Sequence, residues 1–224
     1  MKRFALFFAA AVVLVLAYSG DSTQAGKIAF FDRYNTADTK GETGVYEFDR
    51  AHTFIGFHVN HLGLIEVPGY FRDFSGTINY NAEDITKSSV KFTAKIASVD
   101  TGVEGRDAHL RRADFFDAEK YPEMTFVSKK VEKRGSSIYL TGDLTMRGIT
   151  KEVSFPFKIK GFLPGNERQG MRMGATASTQ IDRFDFGVDY GKNAPAGRPG
   201  IANIVKVDLR IEALKQKPAD NTAE

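Results

Sequence analysis

The 224-residue chain contains no cysteine. That excludes a disulfide framework, a thiol nucleophile and a lipid-attachment cysteine. The phosphate-cradling G-x-x-x-x-G-K, the dinucleotide-binding G-x-G-x-x-G and the G-x-S-x-G nucleophile elbow are also missing. An excess of one charge is nearly missing too: the formal balance is +3, and without Lys2 and Arg3 about +1 remains (3 minus 2). Such a chain has no electrostatic footprint for nucleic acid. Asp100-Thr101-Gly102 has no second copy, whereas an aspartic protease needs two carboxylates sharing a proton, the other from the same chain or a dimer partner. The alternative role is an aspartate capping the turn that follows.

No helix-length membrane span of ~20 apolar residues is present. The apolar run Phe4 to Tyr18 follows Met1-Lys2-Arg3 and precedes Ser19-Gly20, which is the order of a secretory signal peptide. Residues 1–19 are read as that signal, cleaved at 19 or as late as 25, with an uncleaved anchor as the alternative. Residues 20–44 read as a linker carrying a short apolar patch, Ile28 to Tyr34, 45–214 as one globular domain, and 215–224 as a polar tail. A hydrophobic content of 42% supports one domain with a substantial core.

What the domain does have is alternation with period two. At every second position Ile55, Phe57, Val59 and His61 share a face; Phe74, Gly76, Ile78 and Tyr80 follow, then Val90, Phe92, Ala94 and Ile96. Later runs place together Met124, Phe126 and Ser128; Ile138, Leu140, Gly142, Leu144 and Met146; and Val153, Phe155, Phe157 and Ile159. The last two runs are Met173, Ala175, Ala177, Thr179 and Ile181, and Val205, Val207, Leu209 and Ile211. Turn signals at Val67-Pro68-Gly69, Asn81 to Thr86, Arg134-Gly135, Arg147-Gly148 and Pro164-Gly165-Asn166 separate them. Many short antiparallel strands with no edge to spare imply an all-β barrel. Bulky and small inward residues alternate, which leaves either a channel or an ordinary jigsaw core.

The stretch from Ser98 to Phe126 is not generic strand. It carries S-V-D-T (Ser98 to Thr101), Arg106, Asp107, His109, Leu110 and Arg111, Asp114 to Phe116, Tyr121-Pro122, then Thr125, Phe126 and Ser128. In this wording and spacing the chain resembles the YceI-like family of periplasmic polyisoprenoid-binding proteins. Further matches are His61-Leu62-Gly63 with Gly69, Phe71, Phe74 and Gly76; Gly142 to Thr145 with Gly148, Thr150 and Lys151; Asp185-Phe186-Gly187; and Val207 to Ala213. The resemblance covers the chain from about Tyr46 onwards. It implies an extended eight-stranded antiparallel lipocalin-like barrel with a short helical segment after the third strand, a periplasmic location, and an apolar cavity for a polyprenyl chain or isoprenoid quinone.

On that implication the candidate ligand-binding residues are Ile55, Phe57, Val59, His61, Phe74, Ile78, Phe92, Ala94, Ile96, Phe126, Leu140, Leu144, Phe155, Phe157, Ala175, Ala177, Val207 and Leu209. His61 either meets a ligand headgroup or makes structural bonds. His58 and His61 are an odd number of positions apart and face opposite ways, against a shared metal ion with His52 or His109. Arg106, Arg111 and Arg112 bind a phosphate or pair with Asp107 and Asp114. No metal, no cofactor beyond the isoprenoid itself and no catalytic residue is assigned. The expected partners are an amphiphilic isoprenoid lipid and, transiently, a membrane; a homodimer is allowed. The loop Asp189 to Ile201 is the candidate gate. The competing functions are an isoprenoid- or quinone-modifying factor using His61, Asp100 or Arg106, and a packed barrel serving protein contacts in stress protection.

Overall fold

The computed structural model describes residues 39–166, 168–194 and 200–217. The signal, the apolar patch at 28–34, the tail beyond 217 and residues 195–199 of the candidate gate lie outside the described residues.

Eleven strand segments form one sheet: β1 (Gly44–Phe48), β2 (Phe54–His61), β3 (Ile65–Phe71), β4 (Phe74–Tyr80), β5 (Ser89–Lys95), β6 (Val99–Asp100), β7 (Glu123–Arg134), β8 (Ser137–Met146), β9 (Ile149–Leu163), β10 (Arg172–Asp182) and β11 (Ile201–Lys215). Among the described residues the single α-helix, α1 (Glu104–Leu110), follows β6. Both β1 and β2 hydrogen-bond the same edge of β11, β1 at Ala213 to Lys215 and β2 at Ile201 to Arg210. They are two halves of one bent strand. The same holds for β3 with β4, whose partners are β2 and β1, and for β5 with β6, whose partners are β4 and β3. Three such pairs reduce eleven segments to eight staves (11 minus 3), and the pairing of β1 and β2 with β11 closes them into an antiparallel barrel.

The expected alternation decides which way each stave faces. In β7, Met124 and Phe126 are buried while Glu123 and Val127 are exposed. Each such phenylalanine removed from water contributes roughly 1.5–3 kcal/mol. Register shifts in the ladders of β10 with β9, β7 with β8 and β11 with β2 adjust the pattern. Between Gly174 and Ala175 the pairing with β9 slips by one residue, and Gly161 opposite takes φ 147°. A bulge there changes the inward set from the Phe155, Phe157 and Ile159 parity to Phe162, which is 6% exposed. At Gly142 an added Cβ would lie 2.5 Å from the Val127 carbonyl oxygen, so only glycine lets β7 and β8 approach where their register also shifts.

Val67-Pro68-Gly69, read above as a turn, lies inside β3, with Pro68 opposite His58. The reason is that β3 bonds β6 only at Tyr70 and Phe71, leaving Ile65 to Gly69 as an edge where a missing N–H costs no ladder bond on that side. The actual turn is Leu62 to Leu64.

Phe162 packs against Tyr80 and Tyr46 with ring centroids 5.1 and 6.3 Å away, and these rings close the end of the barrel opposite α1. Tyr46 is fully buried; its hydroxyl donates to the Glu42 carbonyl at 2.8 Å and lies 3.4 Å from the Met171 sulfur. Burial pushes its pKa up to about 12 from an ordinary 10.0. The folded protein therefore keeps a proton that the unfolded chain has lost, and this contribution to stability is whole below about pH 10 and disappears as pH rises through 12. Urea denaturation across that window is expected to show a falling midpoint, and Tyr46→Phe should flatten the fall while costing about 1 kcal/mol at neutral pH through the lost hydrogen bond.

Candidate functional site

The barrel encloses a cavity of about 520 Å³, within the roughly 300–1,000 Å³ usual for small-molecule sites. It runs from Phe48 and Tyr80 near the closed end to Thr101, His109 and Tyr190 at the α1 end. Its wall is almost wholly apolar because the period-two positions of consecutive staves face one another across the barrel.

Fifteen of the eighteen candidate residues line it (18 minus 3): Ile55, Phe57, Val59 and His61 of β2; Ile78 and Phe92 of β4 and β5; Phe126, Leu140 and Leu144 of β7 and β8; and Phe155, Phe157, Ala175, Ala177, Val207 and Leu209 of β9 to β11. Phe74, Ala94 and Ile96 do not. Phe74 pairs with Ala94, and both are packed away from the cavity, Phe74 5% exposed and Ala94 fully buried, while Met124 opposite Ala94 covers them and itself lines the cavity. The strand ends at Lys95, and Ile96 opens a 3-10 turn, Ile96–Ser98, that turns its side chain into the packed layer with Val99 and Phe115. A continuous strand through Ile96 was the wrong premise for that position.

The α1 end supplies residues that strand periodicity cannot find. Leu110, Phe115 and Phe116 roof the cavity, and Tyr190 stacks on Phe115 at 4.5 Å with His109 set edge-on to both rings. His109 Nε2 lies 2.8 Å from Asp114 Oδ2, and that hydrogen bond holds the Asp114 carboxyl below the usual carboxylate range. Asp107, 7% exposed, accepts from the Thr101 N–H at 2.8 Å and from the Thr101 hydroxyl. Arg106 donates to the Thr101 hydroxyl and carbonyl at 2.7 and 2.8 Å. Arg111 donates to the carbonyls of Ala97 and Val99 at 2.9 and 3.2 Å. The two arginines thus tie α1 to the end of the third stave; they neither pair with Asp107 and Asp114 nor converge on one anion position.

Asp100 accepts from Gly102 N at 2.8 Å and from Arg72 Nε at 2.8 Å, so it caps its turn and is held ionised, first by Arg72 and then by the backbone N–H. His61 faces the cavity and His58 does not, as their odd separation requires. On the outer wall, Asp49, His52 and Glu212 bring ligand atoms within 4.8 Å of one another. The Arg172 guanidinium already bonds Asp49, at 3.0 Å, and Glu212.

Arg183 has the largest structural role that the sequence did not reveal. It is 5% exposed and donates to the carbonyls of Ala202, Tyr190 and Ile201 at 3.0, 2.8 and 3.1 Å, and also to Val188. Both bases of the candidate gate loop are therefore clamped by one guanidinium. The signal in the sequence was weak: a single arginine beside Asp182 at the end of a strand.

Comparison with known proteins identifies this arrangement. A family model described as the YceI-like domain matches residues 46–213. The chain belongs to the YceI-like family. Protein YceI of Escherichia coli O157:H7 is 36% identical over 177 residues, 77% of this chain and 87% of its own. The crystal structure of a Campylobacter jejuni YceI protein superposes with a TM-score of 0.61 at 32% identity, covering 80% of this chain and all of that one. A polyisoprenoid-binding domain from Saccharophagus degradans, implicated in plant cell wall breakdown, shares the fold at a TM-score of 0.59 and 15% identity, over 78% of this chain and 100% of its own. The YceI-like match thus begins and ends within the staves that build the cavity.

The cavity can be tested by filling it. Ala177 lines the open space whereas Ala94 is sealed in the packed layer. Ala177→Phe should leave the urea midpoint nearly unchanged and reduce uptake of an apolar ligand, while Ala94→Phe should destabilise by about 1–3 kcal/mol or more through overpacking.

Proposed function

We propose that this protein is an exported, periplasmic carrier that holds a polyisoprenoid, either a polyprenyl chain or an isoprenoid quinone, in the barrel with its tail towards the Tyr46 floor. The observation that carries the reading is the cavity itself: one continuous, largely apolar space extending from the Tyr80 end to the polar rim. Family membership and the printed binding property of the Saccharophagus degradans neighbour support it. The driving force is burial. At ~0.8 kcal/mol per CH₂, a five-carbon unit contributes up to about 4 kcal/mol, so a few units retain the chain without a strong headgroup contact. The headgroup rests at the rim beside His61, Thr101, Arg106 and His109.

The role is binding, not turnover. Around the rim Arg106 is engaged by Thr101, Arg183 by four backbone carbonyls and His109 by Asp114, an arrangement that supports a wall more than a reacting centre. Native mass spectrometry of the exported protein purified without detergent is the direct test, with extraction and identification of whatever is released. A stoichiometric adduct of prenyl-lipid mass is expected. A mass that remains that of the bare chain after incubation with prenyl quinones and polyprenyl phosphates removes the carrier reading.

A further inference from the structure

The turn between β2 and β3 is built against its own backbone preference. Leu64 N donates to the His61 carbonyl at 3.1 Å, and the two residues between them, Leu62 and Gly63, have φ of 59° and 72°. Two successive positive φ values define a type I′ turn, where asparagine or glycine is favoured and a leucine at the first position is strained. Arg147-Gly148 repeats the pattern, with φ 49° and 72°, but the Arg147 side chain bonds the carbonyls of Ala113 and Phe115 and so has a structural reason to be there. Leu62 has none of that kind. It is 39% exposed, and beside it Leu64 is 83% and Ile65 63% exposed.

The tip stands at the α1 end of the cavity. His61, which precedes it, lines the cavity, as does Ile201, and Leu62 N donates to the Gly200 carbonyl at 2.8 Å. From Leu62 to Ile65 there is no charged side chain, and Glu66 beyond is neutralised by Lys206. Three apolar side chains are too few for a stable protein interface of ~800 Å² per partner. They do suit shallow insertion at the boundary between headgroups and acyl chains. We infer that the Leu62–Ile65 tip is a membrane-docking element that seats the cavity mouth on a lipid bilayer through apolar contact and without need of anionic lipid. The inference rests on the carrier reading for its purpose, since a cargo of this class is loaded from and returned to a bilayer.

The chain has no tryptophan, so Leu64→Trp in the full chain introduces a single reporter at the tip. Phe54→Trp, at a 47% exposed position on β2 away from the mouth, is the control for adsorption elsewhere and for tethering through the N-terminal apolar run. With phosphatidylethanolamine vesicles, with or without phosphatidylglycerol, the tip tryptophan should shift to shorter wavelength and be quenched by brominated phospholipid, and the control should not. Leu62→Asn should raise the thermal midpoint by relieving the turn, while Leu64→Ser should weaken vesicle partitioning by about tenfold. A silent tip tryptophan, an equal response from the control, or a lower midpoint for Leu62→Asn would overturn the inference. Cargo is read separately by mass: an isoprenoid adduct with a silent tip rejects docking alone, and an inserting tip without any adduct rejects the carrier reading alone.

Discussion

The structure depends on the backbone hydrogen bonds that join β11 to both halves of the first stave. They turn a sheet with two open edges into a cylinder, and only a closed sheet can be lined on the inside by apolar groups alone. Closure at this stave number leaves more room than the inward side chains occupy where alanine stands, at Ala175 and Ala177, and less where a bend packs Phe74 and Ala94 together beneath Met124. The cavity is therefore a consequence of uneven filling along one barrel.

The two ends are closed by different physics. At one end aromatic rings do it: the bulge at Gly161 brings Phe162 onto Tyr80 and Tyr46, and the buried Tyr46 hydroxyl donates to the Glu42 carbonyl. At the other end the backbone leaves the sheet, in α1 and in the loop after β10, and its carbonyls are satisfied by arginine. Arg106 and Arg111 hold α1 to the third stave, Arg147 holds the segment carrying Phe115, and Arg183 holds the bases of the loop after β10. Planar guanidinium groups with several donors suit irregular chain, where no strand partner exists. The α1 end is thus held by side-chain bonds, and the opposite end by packing.

Much of this was legible in the sequence, and what was not has specific reasons. Eight alternating runs were visible, one for each stave, because inward positions must be apolar at every second residue. Their halves β1 and β3 were not: Tyr46 and Phe48 make too short a run, and Pro68 mimics a turn. Ala94 and Ile96 were placed by parity in the cavity, but parity says which face a residue is on and nothing about whether that face is filled. The sequence leaves the arginines of the Ser98 to Phe126 segment open to either a phosphate or the neighbouring carboxylates; in the fold, Arg106 and Arg111 instead meet carbonyl oxygens from the stave end.

By itself, the sequence determined the barrel class, the inward set and the membership that the fixed wording of Ser98 to Phe126 carries, because each of these follows from local spacing. Only the tertiary structure decided that the interior holds an open space near Ala177 and a filled one at Ala94, that Arg183 clamps both bases of a loop, and that Leu62 to Ile65 stands exposed at the α1 end of the cavity. Those properties depend on which residues meet across the barrel, and residues far apart in the chain meet only once β11 has closed on β1 and β2.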